Sequence, residues 1–196
     1  MLARLKDREV LGLLGVSLLT FIILFGPQLT FLPILMDERF GAPSYLRGAV
    51  LSGASLTTAL TSAQLGALTS RVGERTLLKA AFVLYAAGLI GVALAPSVWF
   101  LLVPAILFGV AQGINLPNVF SLLNAHAPSE NRGAFMAVNG MTLRAGQTIG
   151  PLLMAATAGT LGLTGAYLAA TALALLALVL VLTLLRRDSQ EGGDPS

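Results

Sequence analysis

Six long apolar stretches account for most of this 196-residue chain. A helix rises 1.5 Å per residue, so about 20 mainly apolar residues are needed to cross a hydrocarbon core about 30 Å thick. The six stretches cover residues 10–35, 48–69, 77–95, 98–122, 134–158 and 162–185, with the last break at Gly159-Thr160-Leu161. The pattern predicts an all-α membrane protein whose residues 10–185 form a bundle of six transmembrane helices.

The composition excludes several classes of protein. Charged residues make up 11% of the chain, whereas a soluble domain carries about a quarter. A net charge of +3 is too small and too scattered for binding to nucleic acid. The chain has no cysteine, its nine acidic residues lie outside the six stretches, and its single histidine, His126, lies in a loop. We therefore expect no enzyme activity, no metal site and no cofactor.

The basic residues predict the orientation. Nine of the 12 lysines and arginines lie at the N-terminus, in or beside the loops after the second and fourth stretches, and in the tail, whereas only Arg39 and Arg47 lie in the first loop. Cytoplasmic loops carry an excess of Lys and Arg. We expect a plasma-membrane protein with both termini in the cytoplasm. Residues 1–9 would be a cytoplasmic segment and residues 186–196 a disordered tail.

The polar residues suggest an internal repeat. The second, fourth and fifth stretches carry several Ser, Thr, Asn or Gln side chains, the third carries none, and the sixth carries no amide or charge. Unpaired polar groups are costly in lipid, so stretches one, two, four and five should face protein or water, and three and six should face lipid. Two three-helix units with the same polarity order, inserted in opposite directions, are typical of transporters.

An arginine lies deep in the fifth stretch. Arg144 is 12 residues beyond Arg132, which places it about 18 Å into the bilayer, at a cost of at least about 2.5 kcal/mol. Since this chain has no carboxylate at that depth, the partner of the Arg144 charge would be water, helix carbonyls, an anionic substrate or a second polypeptide. A hydrated structural arginine remains the alternative. The candidate cavity-lining residues are Gln28, Gln112, Asn115, Asn118, Asn139, Arg144, Gln147 and Thr148.

The loop after the second stretch carries a recognisable motif. It resembles the loop signature of the major facilitator superfamily, glycine-x-leucine-alanine-aspartate-arginine-x-glycine-arginine-arginine. Ser70 stands for the aspartate and Glu74 for one arginine. An ordinary basic loop would also satisfy the orientation rule. The matching positions are Gly66, Leu68, Arg71, Gly73 and Arg75.

The fifth stretch carries a second motif. Gly146, Gly150 and Pro151 are similar to the glycine-x-x-x-glycine-proline signature of the same family. Small residues four apart let helices approach closely, and proline kinks a helix. The resemblance covers about Val10 to Leu185.

The resemblance implies which part of a transporter this is. Family N-terminal halves often carry arginine-x-x-glutamine-glycine in the fourth helix. Here Gln112 and Gly113 match, whereas Gly109 replaces the arginine. With the lost aspartate, this departure implies a C-terminal six-helix half of a twelve-helix fold, most similar to the drug-exporter branch.

The family works by alternating access, so the resemblance implies secondary active transport or efflux of a small molecule. The implied partners are the lipid bilayer, the substrate, and an N-terminal six-helix half or a second copy of this chain. The chain would then be a truncated or split half. The alternative is a non-transporting six-helix scaffold or assembly protein, which would bury Gln112, Asn115 and Arg144 in dry contacts.

Overall fold

The computed structural model describes residues 8–126 and 132–184, and these residues contain helices and no strand. Most of the predicted terminal segments and most of the loop before Arg132 lie outside the described residues. The helices are α1 (Arg8–Phe40, π-helical at Leu24–Phe31), α2 (Ser44–Ala63), α3 (Leu65–Val72), α4 (Glu74–Ala93), α5 (Leu102–His126, after a 3-10 turn at Trp99–Leu101) and α6 (Arg132–Leu184).

The described helices overlap all six apolar stretches, but the second stretch is divided at Gln64 between α2 and α3, and the last break also differs. The sequence placed that break at residues 159–161, and this prediction was wrong because those residues are helical. The chain leaves helical geometry at Gly162, where φ is 70° and ψ is 174°. Glycine adopts positive φ without a steric penalty. Gly162 therefore divides α6 into a first arm, residues 132–161, and a second arm, residues 163–184.

Hydropathy and length set apart the segments able to cross a membrane. Among the described residues, four helical segments qualify: Arg8–Phe40, Glu74–Ala93, Trp99–Ala125 and Gly133–Thr183. The last has 51 residues, enough for two crossings at about 20 residues each. The helix α2 is too rich in Ser and Thr to qualify. The fold is an all-α bundle with several candidate membrane spans.

Glycines allow two pairs of helices to pack closely. A Cβ added at Gly150 in α6 would lie 2.6 Å from the carbonyl oxygen of Ile22 in α1. A Cβ added at Gly109 in α5 would lie 2.4 Å from the carbonyl oxygen of Ala54 in α2. Contacts this short do not occur in real structures, so both positions require glycine at the present helix separation. The pairs α1–α6 and α2–α5 are thus held at backbone contact.

Hydroxyl groups reinforce the second of these pairs. Thr58 Oγ1 donates to the carbonyl oxygen of Gly109 at 3.1 Å, and Ser62 Oγ donates to that of Gly113 at 3.1 Å. Polar groups are costly in an apolar environment unless they are hydrogen-bonded. These two α2 side chains therefore meet protein, as the sequence predicted for the second stretch.

The exposed surfaces of the helices differ in polarity. Between residues 80 and 94 of α4, and between residues 168 and 182 of the second arm of α6, every exposed side chain is apolar. In contrast, α2 exposes Ser52 and Ser55 beside the apolar Leu56 and Leu60. One part of the outer surface thus suits lipid, and another carries polar groups.

Candidate functional site

The centre of the candidate site is the π-helical segment of α1. Pro27 lies inside it and has no N–H for the regular helical ladder. Two hydroxyl groups donate to carbonyls of the segment: Thr30 Oγ1, within the segment, to the Phe25 oxygen at 2.7 Å, and the Tyr167 hydroxyl, from α6, to the Pro27 oxygen at 2.8 Å. Widened turns of this kind often occur at functional sites.

A cleft of about 280 Å³ opens beside this segment, between α1, α2 and α5. Its walls are mostly apolar, and none of the described residues that line it is ionisable. The lining residues are Leu24, Gln28, Leu29, Leu51, Ala54, Ser55, Thr58, Phe108 and Gln112.

Two of the predicted residues, Gln28 and Gln112, both line this cleft. Gln112 Oε1 accepts a hydrogen bond from the buried Tyr85 hydroxyl. Gln28 is 5% exposed, and its Nε2 has no hydrogen-bond partner. The hydroxyls of Ser55 and Thr58 donate to main-chain carbonyls. The cleft therefore offers amide groups on a neutral, largely apolar surface.

The three predicted asparagines lie elsewhere in the bundle. Asn115 is fully buried, and its Nδ2 donates to Thr20 Oγ1 in α1 at 2.8 Å. Asn118 Nδ2 donates to the carbonyl oxygen of Glu74, at the start of α4, at 2.6 Å. Asn139, in the first arm of α6, is 1% exposed, and its Oδ1 is unpartnered. None of the three lines the cleft.

The remaining predicted residues share one side of the first arm of α6. Arg144 and Thr148 are exposed, and Gln147 is half-buried. Thr148 Oγ1 donates to the carbonyl oxygen of Arg144 at 3.2 Å. No described residue forms a hydrogen bond or ion pair with the Arg144 guanidinium. This face of the chain therefore carries a charge without a partner in the described residues.

The loop motif runs from the first turn of α3 to the start of α4, so Gly66, Leu68 and Arg71 are helical. Gly66 and Arg71 are exposed, and Leu68 is half-buried. Gly73 has a φ of 84°, which favours glycine and accounts for that position of the motif. Arg75, the last member, lies in α4, and the second motif, Gly146, Gly150 and Pro151, lies in the first arm of α6.

Sequence reasoning missed the two tyrosines of the site. Tyr85 and Tyr167 are buried, and their hydroxyls meet the fourth stretch and the π-helical segment of the first. A signal was present, because each is the only tyrosine of a stretch otherwise nearly free of polar groups. Buried tyrosine hydroxyls usually find a hydrogen-bond partner.

Comparisons with known proteins agree on one family. Over 149 residues the chain is 28% identical to the multidrug resistance protein MdtG of Dickeya zeae, covering 76% of this chain and 36% of that protein. Over 161 residues it is 26% identical to the multi-drug resistance efflux pump PmrA homolog of Lactococcus lactis, covering 81% and 40%. The chain thus spans less than half the length of these relatives.

The fold agrees with a solved structure. A crystal structure of the peptide transporter POT in complex with sulfate matches with a TM-score of 0.78 and 20% identity, over 88% of this chain and 37% of that one. The Major Facilitator Superfamily matches residues 12–196. Because this family match covers most of the chain, the chain belongs to the Major Facilitator Superfamily.

Proposed function

We propose that this chain is the C-terminal six-helix half of a secondary transporter that moves a small molecule by alternating access. The cleft beside the π-helical segment would be its side of the substrate site. The observation that carries the proposal is a cleft beside the π-helical segment of α1 that is lined by two predicted polar residues, Gln28 and Gln112. In many transporters the substrate binds near the bilayer midplane at discontinuous helices.

Six crossings arranged as an inverted repeat are supported by paired contacts. One unit is α1–α4, and the other is α5 with the two arms of α6. The first helix of each unit packs on the middle helix of the other: α1 packs on the first arm of α6, and α5 packs on α2. The last helix of each unit carries a buried tyrosine that bonds to the first helix of the other: Tyr85 to Gln112, and Tyr167 to Pro27.

Reporter fusions test these crossings and the cytoplasmic termini. Fusions after Glu38, Pro96 and Leu161 should report the outside. Fusions after Gly73, Ser129 and Asp188 should report the cytoplasm. A reversed signal at any of the six positions contradicts the topology.

A partner bundle would cover the polar outer face. Exposed serines on α2 and the exposed Arg144 and Thr148 on α6 are unsuited to lipid. We propose an N-terminal six-helix half, or a second copy of this chain, as the partner. The apolar outer faces of α4 and of the second arm of α6 would then contact the plasma-membrane lipid.

The names of the multidrug relatives favour efflux of drug-like molecules. The scaffold alternative has its own support, because Gln112 and Asn115 both make buried contacts with protein groups. The exposure of Arg144 and the open cleft favour transport instead.

Filling the cleft separates the two functions. Ser55 is an exposed lining residue of α2, so Ser55→Trp adds an indole to the cleft without disturbing a buried contact. The control is Val83→Trp on the apolar face of α4, where Val83 is 52% exposed. Drug efflux from cells carrying this chain with its partner half should fall for Ser55→Trp and stay at the parent level for Val83→Trp. Equal efflux for both variants would mean that transport does not use this cleft.

A further inference from the structure

The cleft contains a hydrogen-bond donor that no described residue of the chain satisfies. Gln28 lines the cleft, is 5% exposed, and leaves Nε2 without an acceptor. A buried donor left unpaired costs free energy, and native structures rarely tolerate it without a reason. An acceptor atom on a bound molecule would remove this cost.

The second amide of the cleft, that of Gln112, is hydrogen-bonded through its oxygen. The Tyr85 hydroxyl occupies Oε1 of Gln112, which leaves the amide nitrogen of Gln112 for a ligand. An amide nitrogen can only donate. The cleft is therefore lined by two amide side chains, Gln28 from α1 and Gln112 from α5, of which Gln28 has the unpartnered buried donor.

The rest of the lining excludes a charged ligand on this side. Among residues 8–126 and 132–184, no acidic or basic side chain lines the cleft, and its large apolar lining residues are Leu24, Leu29, Leu51 and Phe108. A cation here would lose its hydration without meeting a carboxylate, and neutral amides compensate an anion only in part. Arg144 is not among the lining residues.

We infer that the cleft selects uncharged molecules that carry a strong hydrogen-bond acceptor on an apolar body, and that Gln28 is the residue that reads this acceptor. The inference rests on the proposed function, since it names the substrate class of the same cleft.

Three probes of similar shape test this class on the purified full chain in a non-ionic detergent. Triphenylphosphine oxide is neutral with an acceptor oxygen, triphenylmethane is neutral without one, and tetraphenylphosphonium is a cation. The variant Gln28→Met keeps the length of the side chain and removes the donor. The control Gln64→Met makes the same change at an exposed residue outside the cleft. Binding is read from the ligand-dependent unfolding temperature, and all variants share the same probe partition into micelles.

The oxide should bind the parent and Gln64→Met more tightly than the other two probes do. Its apparent Kd should rise about tenfold in Gln28→Met, as expected for the loss of one hydrogen bond. Triphenylmethane binding should change less than about twofold. If Gln28→Met is poorly folded, Gln28→Leu serves as the second variant.

Other outcomes would overturn the inference. The class is wrong if tetraphenylphosphonium binds as tightly as the oxide, or if oxide binding ignores the Gln28 substitution. If no probe binds but Ser55→Trp still abolishes efflux, the substrate class fails while the proposed function stands. If no probe binds and Ser55→Trp transports normally, both fail.

Discussion

Replacing Gly150 by alanine should weaken the bundle, although alanine is the better helix former. A Cβ at Gly150 would lie 2.6 Å from the Ile22 oxygen and 2.9 Å from the Gly26 nitrogen. Ordinary van der Waals contact begins near 3.4 Å, so α1 and α6 would have to separate locally by about 0.8 Å. Overpacking of this kind typically costs about 1–3 kcal/mol. It is offset by about 0.5–1 kcal/mol of helix propensity, and we expect a net loss of about 1 kcal/mol, within the range of about 0–2.5 kcal/mol that the two effects give.

The first arm of α6 supplies its own control. Gly140 lies in the same helix, and an added Cβ there would meet no atom within 4 Å. Gly140→Ala should therefore stabilise the protein by about 0.5–1 kcal/mol. The assay is the unfolding free energy of the purified chain in mixed micelles, followed by circular dichroism. If Gly150→Ala is as stable as Gly140→Ala, the close approach of α1 and α6 is refuted.

Three further substitutions test single interactions. Thr20→Val keeps the shape of the side chain but leaves Asn115 Nδ2 without its acceptor, and should lower the unfolding free energy by about 0.5–2 kcal/mol in the same assay; an unchanged value would contradict the hydrogen bond. Tyr167→Phe removes the hydrogen bond to the Pro27 carbonyl and should lower the unfolding free energy by a similar amount. It should also reduce efflux, because this bond holds the π-helical segment against α6; a normal efflux rate would show that the bond is not needed for transport. Arg144→Lys should reduce efflux in cells carrying the partner half, because lysine lacks the planar guanidinium fork, and Arg144→Gln should reduce it further; parent-level efflux for the latter would make the arginine a hydrated structural residue.

Sequence patterns predicted the helices well because apolar length is a strong local signal. The difference at Gly162 arises because residues 159–161 are compatible with helix, and only the positive φ of the glycine ends it. The π-helical turn was not predictable, since Pro27 signals a disrupted ladder but not how the chain accommodates it. The neighbour that settles the geometry, Tyr167, lies in a distant helix.

The candidate site was harder to predict than the helices. A helical wheel places Arg144, Gln147 and Thr148 together, and the structure also has them on one side of α6. The wheel cannot tell which neighbour covers a polar residue of another helix. Gln112 and Asn115 are three positions apart in α5, yet one lines the cleft and the other bonds to Thr20.

On the proposed function, the charged residue and the residue that we propose to bind the ligand lie at different places in the bundle. The cleft that contains Gln28 has no ionisable lining residue, whereas Arg144 stands on the exposed side of α6 without a partner among the described residues. All acidic residues of the chain lie outside the apolar stretches, so a carboxylate that meets Arg144 at membrane depth would have to come from the partner bundle. An arginine that docks a partner and a glutamine that reads a neutral ligand make different contributions to transport. We expect Arg144→Gln to weaken co-purification of the two bundles and to leave probe binding to the isolated chain unchanged. We expect Gln28→Met to weaken probe binding and to leave co-purification unchanged. Joint loss of pairing and probe binding in both variants would mean that the two residues belong to one site.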